Sequence, residues 1–114
     1  MKEIKAYIRP ILLEGTISRL EEAGARDITV IRVDAIGAMA DLLSDKGHFL
    51  RKYKEKYSIV AKLEIVCRDE EADKFFDIIR KHAHTGNHGD GRIFVSDILQ
   101  AVNIRTGEED EKAL

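Results

Sequence analysis

Polar and apolar positions along the chain change period several times, and each change marks an element. Residues Lys2 to Ile8 alternate, with Ile4, Ala6 and Ile8 on one face and Lys2, Lys5 and Tyr7 tending to the other, which is strand periodicity. Pro10 ends it, because proline has no N–H for a ladder. Leu13, Ile17 and Leu20 then recur at helical spacing among Glu14, Arg19, Glu21 and Glu22, and Gly24 stands where a helix-terminating glycine is expected. The β-branched run Ile28 to Val33 reads as a second strand. Tyr57 to Cys67 reads as a third, with Ile59, Ala61, Leu63, Ile65 and Cys67 facing one way and Val60 and Val66 the other. Ala72, Phe75, Phe76 and Ile79 form the stripe of a helix over 69–82, opened by Asp69 or Glu70. Arg92 to Val95 is a fourth strand. Residues 97–102 are expected as a short helical turn and 103–106 as a final extended piece.

The order β-α-β-β-α-β predicts one α+β domain over 1–114, a ferredoxin-like sandwich with two helices on one face of an antiparallel sheet. Two helices cover only one face. The second strand nevertheless has apolar residues on both, Ile28 and Val30 against Ile31 and Val33, so a sheet-to-sheet oligomer is expected.

Composition narrows the class. Nineteen Lys and Arg against twenty-one Asp and Glu give a net charge of −2, and this mixed charge argues against nucleic acid as the main partner. The central strands are also expected to lack the aromatics on which such sheets stack RNA bases. No apolar run approaches the roughly 18 residues of a membrane span, no secretory signal pattern follows Met1, and the single Cys67 has no partner for an internal disulfide, so a cytoplasmic location is expected.

Two segments stand out. Residues 36–57 separate strands that should be hairpin neighbours, far beyond the usual 2 to 5 residues of such loops. Met39, Leu42, Leu43 and Phe49 supply apolar contacts, and residues 51–56 hold four cations against one acid with Tyr53 among them. A solvated insertion, a two-stranded extension and a projecting partner-docking arm all fit, with Met39, Leu42, Leu43, Phe49, Arg51 and Tyr53 as docking candidates. The second segment, 84–92, has glycines at 86, 89 and 91 ahead of Arg92. Glycines let backbone N–H groups crowd an anion, and Arg92 with Arg105 would add cationic contacts to phosphate. On spacing alone this signal is weak and a plain turn fits better.

The run Thr85-Gly-x-x-Gly-Asp-Gly-Arg-Ile-Phe-Val95, with Ile104-Arg-Thr-Gly-Glu108 near the C-terminus, resembles the PII signal-transduction family. Ile8-Arg9-Pro10, Glu22-x-Gly24, Thr29-Val30, Gly37 and Lys62-Leu-Glu-Ile-Val66 agree with it, and the resemblance covers nearly the whole chain apart from residues 38–57. The resemblance implies a homotrimer that binds ATP or ADP in clefts between subunits and docks its long loop on a membrane transporter or metabolic enzyme. It implies that Gly89, Asp90, Gly91, Arg92 and Arg105 hold phosphates. It further implies that Thr29, Glu64 and Val66 hold ribose and adenine, and that Gly37 approaches the phosphates.

Some positions depart from the family pattern. Ala38 replaces an arginine, Met39 the glutamine that supports magnesium, Val60 a lysine that pairs with 2-oxoglutarate, and Asn103 the first of two late arginines. Two lost phosphate contacts of about 1 kcal/mol each would weaken triphosphate binding by roughly 30-fold. The expectation is an adenylate binder that separates ATP from ADP or AMP poorly and takes up Mg²⁺ and 2-oxoglutarate weakly or not at all. Tyr53 falls near a tyrosine that some PII proteins have nucleotidylated, but Lys52 and Lys54 do not match that context. His82, His84 and His88 are expected at the surface or a subunit contact rather than on a metal, and Cys67 as buried filler. The acidic tail 108–111 is expected to be solvated. No nucleophile and base are paired in the sequence, so catalysis is not expected.

Overall fold

The computed structural model describes residues 1–37 and 58–114. The six candidate docking residues between 39 and 53 lie outside them, as does most of the long connection that carries them.

Four strands, β1 (Lys2–Ile8), β2 (Ile28–Ala35), β3 (Ser58–Cys67) and β4 (Arg92–Asp97), form one antiparallel sheet in the order β2-β3-β1-β4. Helices α1 (Leu13–Glu22) and α2 (Asp69–His82) complete the β-α-β-β-α-β order and the ferredoxin-like arrangement. The first helix follows a 3₁₀ turn, Pro10–Leu12, in which the proline occupies a helix-start position that needs no N–H. Gly24 ends α1 as the spacing predicts. It lies at φ 99°, its N–H donates to Glu21 O at 3.0 Å, and Ala25 N–H donates to Leu20 O at 2.9 Å, the paired bonds of a Schellman motif.

The core lies between this helical layer and one sheet face. Ile4, Ala6, Ile8, Ala61, Leu63, Ile65 and Cys67 are buried against Leu20, Ala72, Phe75 and Ile79, with Leu13, Ile17 and Ile28 partly buried beside them. Burial raises the Cys67 thiol above its ordinary pKa, with Glu71 adding to the effect, so the residue behaves as apolar filler.

Several expectations are corrected. Lys2 shares the alternation of Ile4, not that of Lys5 and Tyr7. It stands opposite Asp97, and its ammonium meets that carboxylate at the sheet rim. Ile59 shares the face of Ala61 as expected but is 53% exposed, since it lies beyond the last β1 partner, Ile8, which pairs with Ala61. β2 and β4 each extend two residues further than the apolar run suggests. No helical turn forms over 97–102 and no extended piece over 103–106. Instead, Val102 bridges Glu109 in antiparallel fashion, residues 104–106 form the turn between them, and a 3₁₀ turn covers Asp110–Ala113. Asn103 and Gly107 make this reversal through local hydrogen bonds.

The other sheet face has no layer over it among the described residues. Register places Thr29, Ile31 and Val33 of β2 there, with Lys62, Glu64 and Val66 of β3, Lys5 and Tyr7 of β1, and Arg92 and Phe94 of β4. Ile31 and Phe94 are exposed. The expectation that central strands lack aromatics on this face holds for β3 but not for β1. Tyr7 packs edge-to-face on Phe94, ring centroids 6.1 Å apart, and Lys62 Nζ lies 5.7 Å from the Tyr7 centroid. These rings are turned onto one another rather than laid out as parallel stacking platforms.

Candidate functional site

The glycine-rich loop follows α2 and is organised by one carboxylate. Asp90 accepts backbone N–H donors from Thr85 and Gly86, each at 2.8 Å, together with the Thr85 hydroxyl and the Arg9 Nε–H at 3.2 Å. The Arg9 guanidinium also donates to the His88 carbonyl at 2.6 Å. Burial works against the Asp90 charge, but the Thr85 hydroxyl, the two backbone donors and Arg9 outweigh it and hold the carboxyl well below the usual carboxylate range. Asp90, expected on phosphate, therefore faces its own loop and fixes that loop's shape.

Gly91 pins the loop to the sheet. At φ 100° its Cα lies against β1, and a Cβ there would come within 1.6 Å of Tyr7 O. The loop thus meets the C-terminal end of β1, and Arg92 opens edge strand β4 with its side chain exposed and in no ion pair among the described residues. Gly89 and Gly91 are half-buried within this turn. Gly37, exposed at φ 89°, stands at the same end of the sheet, two residues beyond Ala35.

Thr29, Glu64 and Val66 gather elsewhere. They line a cleft of about 580 Å³ at the N-terminal end of β2, where Arg26, Cys67 and Leu114 also contribute. Glu64 stands opposite Thr29 in the ladder and pairs with Lys62 at 2.6 Å. Hydrogen bonding to Glu64 is the main cause of a raised Lys62 pKa, against the opposing effect of burial. Neither Gly37, the glycine loop nor Arg105 lines this cleft. Arg105 is exposed in the turn between Val102 and Glu109. The chain therefore holds two groups of candidate residues plus Arg105, not one continuous site.

His82, His84 and His88 are exposed, and among the described residues no three His, Cys, Asp or Glu side chains are grouped as an ion site would need. His84 Nδ1 instead lies 3.7 Å from Asp90. Sequence reasoning gave Arg9 no role beyond its place in a matching tripeptide. A cation immediately after β1, just before a strand-ending proline, was the signal that it could reach the neighbouring loop.

A ferredoxin-like α+β domain with a glycine-rich loop closed on its β1 end and a separate cleft at its β2 edge is the class that the geometry defines. Comparison with known proteins makes this specific. The family profile "Nitrogen regulatory protein P-II" matches residues 1–108. The chain is 42% identical over 115 residues to nitrogen regulatory protein P-II 2 of Methanothermobacter thermautotrophicus, covering all of this chain and 97% of that one. It is 35% identical over 118 residues to nitrogen regulatory protein GlnK of Escherichia coli K12, and 39% identical over 119 residues to nitrogen regulatory protein P-II of Bradyrhizobium diazoefficiens, each over the full length of both chains. The chain belongs to the nitrogen regulatory protein P-II family. No helix among the described residues is long and apolar enough to cross a membrane.

Proposed function

We propose that this chain is a signal-transduction regulator that binds an adenine nucleotide, ATP or ADP and to a lesser degree AMP, between subunits of a homotrimer. Residues 36–57 carry its state to a target transporter or metabolic enzyme in nitrogen regulation. The observation that supports this reading best is the division of the candidate site. Arg92 opens edge strand β4 directly after the glycine loop, and Thr29 lies on the opposite edge strand β2. Three strand spacings, roughly 14 Å, separate those edges. One subunit therefore supplies two partial sites, and a head-to-tail interface joining the β4 edge of one copy to the β2 edge of the next completes a site at each junction. The exposed Ile31 and Phe94 on the sheet face away from the helices favour such an assembly.

Chemically the two parts are suited to different ends of a nucleotide. The loop offers backbone N–H groups and an arginine to phosphate, as an anion-binding turn does. The cleft offers Val66 beside an apolar base, and Thr29 and Glu64 as polar partners for hydroxyl and ring groups.

Calorimetric titration of the intact chain with ATP, ADP and AMP, with and without Mg²⁺ and 2-oxoglutarate, tests the reading alongside light scattering for the trimer. Adenylate binding to a trimer supports it, and absence of binding by any of the three nucleotides overturns it. A second reading, a divergent adenylate sensor that ignores 2-oxoglutarate and regulates a different transporter, for bicarbonate or a metal, is favoured by Val60. This buried, 4% exposed apolar side chain stands where the family pattern has a lysine for 2-oxoglutarate. Binding indifferent to 2-oxoglutarate distinguishes it.

A further inference from the structure

The turn that presents Arg105 is built around one neutral side chain. Asn103 Oδ1 accepts the backbone N–H of Arg105 at 3.0 Å and that of Thr106 at 3.1 Å. The Asn103 N–H donates to Glu108 O, and its carbonyl accepts the Gly107 N–H, both at 2.8 Å. Thr106 Oγ1 accepts the Glu108 N–H at 3.2 Å and ties the returning strand to the same turn. A short amide reaches its own chain two and three residues on, which is why Asn stabilises such reversals.

The two peptide N–H groups held by Asn103 flank the Arg105 α-carbon. Fixing both sets the backbone angles of residue 105 and hence the direction in which its side chain leaves the turn. The side chain itself is left available, exposed and in no ion pair among the described residues, next to Ile104, which is 96% exposed. Position 103 therefore supplies geometry to its neighbour rather than a charge of its own.

We propose that Asn103 is a positioning residue for nucleotide binding: by holding the backbone on both sides of Arg105, it directs that guanidinium towards the phosphates. The proposal rests on the function proposed for this chain, in which Arg105 is a phosphate contact. Ordering a mobile arginine on binding opposes affinity, and a turn already fixed in the free protein removes the backbone share of that cost. Asn103 thus acts only through Arg105, so its effect disappears when the guanidinium is gone.

The test is a double-mutant cycle read by calorimetry with ATP, on the intact parent chain and on Asn103→Ala, Asn103→Ser, Arg105→Ala and Asn103→Ala/Arg105→Ala. Asn103→Ala should weaken binding about 5-fold, and Asn103→Ser, which keeps one acceptor, should recover part of it. Arg105→Ala should weaken it roughly 10-fold, and the double variant should bind no more weakly than Arg105→Ala alone. Amide hydrogen exchange supplies a structural readout, with faster exchange at Arg105 and Thr106 in Asn103→Ala. Equal losses from Asn103→Ala in both backgrounds, or parental affinity and unchanged exchange in Asn103→Ala, overturn the positioning role. If Asn103→Ala fails to fold, Asn103→Ser takes its place in the cycle, and equal losses in both backgrounds overturn the role in the same way. A parent chain that binds no nucleotide overturns the proposed function, and the role of Asn103 falls with it.

Discussion

The loop at 84–92 and the turn at 103–107 solve the same local problem, presenting an exposed arginine from a reversal of the chain, by different means. The first is organised by a charged side chain and tied to distant parts of the fold. Asp90 gathers donors from its own loop and from Arg9, 81 residues away in sequence, and Gly91 lies flat on the Tyr7 carbonyl. The second is organised by the neutral Asn103, and its bonds reach no further than a few residues. Long-range ties fix where Arg92 stands relative to the sheet, whereas local ties fix only the shape from which Arg105 projects. Damage to the first should therefore unfold structure, and damage to the second should mainly change binding.

Glycine substitutions test that contrast most severely. In Gly91→Ala the new Cβ would fall 1.6 Å from Tyr7 O and 2.7 Å from its carbonyl carbon, both main-chain atoms that cannot turn aside. The β1–β4 ladder must part or the loop must lift, at about 3 kcal/mol or more, and chemical denaturation of the variant should show it. Gly107→Ala meets a positive φ of 74° but no atom within 4 Å, so its cost should be only the conformational one of about 1 kcal/mol. Equal losses at the two positions would break the comparison.

Asp90→Ala comes next. Removing the carboxylate leaves the Thr85 and Gly86 N–H groups and Arg9 without that acceptor, and a loss of about 2 kcal/mol is expected in denaturant unfolding. The pH dependence has a definite sign. Because the Asp90 pKa is lowered in the folded state, its contribution is fully present above the unfolded aspartate value of about 4 and declines as the pH falls below it. The stability gap between the parent and Asp90→Asn should therefore be constant from pH 7 to about 5 and narrow on further acidification. A gap that widens in acid would mean that the carboxylate is not held in its charged form by these donors.

Much of the fold was legible because burial enforces periodicity. Ile4, Ala6 and Ile8 at period two, and Ala72, Phe75 and Ile79 at helical period, all lie in the core, and Gly24 ends its helix as its conformational freedom requires. The C-terminal segment was not legible in the same way. Val102, Ile104 and Leu99 are all exposed, so no buried face imposes a period on 98–106, and the outcome rests on a side-chain amide bonding to its own backbone. The site was legible as residue types rather than as an arrangement. Nothing in the spacing of Asp90 said that its oxygens would turn inward to Thr85 and Gly86, because that depends on Arg9 arriving from β1. The separation of Thr29 from Arg92 likewise follows from strand order, which puts β2 and β4 at opposite edges.

The smallest expected effect on stability tests the contrast from the other side. Arg92→Ala and Arg105→Ala each remove an exposed side chain that enters no ion pair among the described residues, so each should leave unfolding within about 0.5 kcal/mol of the parent. On the proposed function both should nonetheless weaken ATP binding by roughly 10-fold, since a charge-assisted contact to phosphate is worth more than a neutral one. AMP, with fewer phosphates for the two cations to meet, should lose less than ATP in both variants. The two arginines also differ in what surrounds them. Arg92 stands on a rigid strand start pinned by Gly91, so loosening the C-terminal turn should leave its contribution intact. Arg92→Ala should consequently cost the same affinity in the Asn103→Ala background as in the parent, whereas Arg105→Ala should cost less there. Equal behaviour of the two arginines would show that both are held by one shared structure, and the distinction between a long-range and a local anchor would fail.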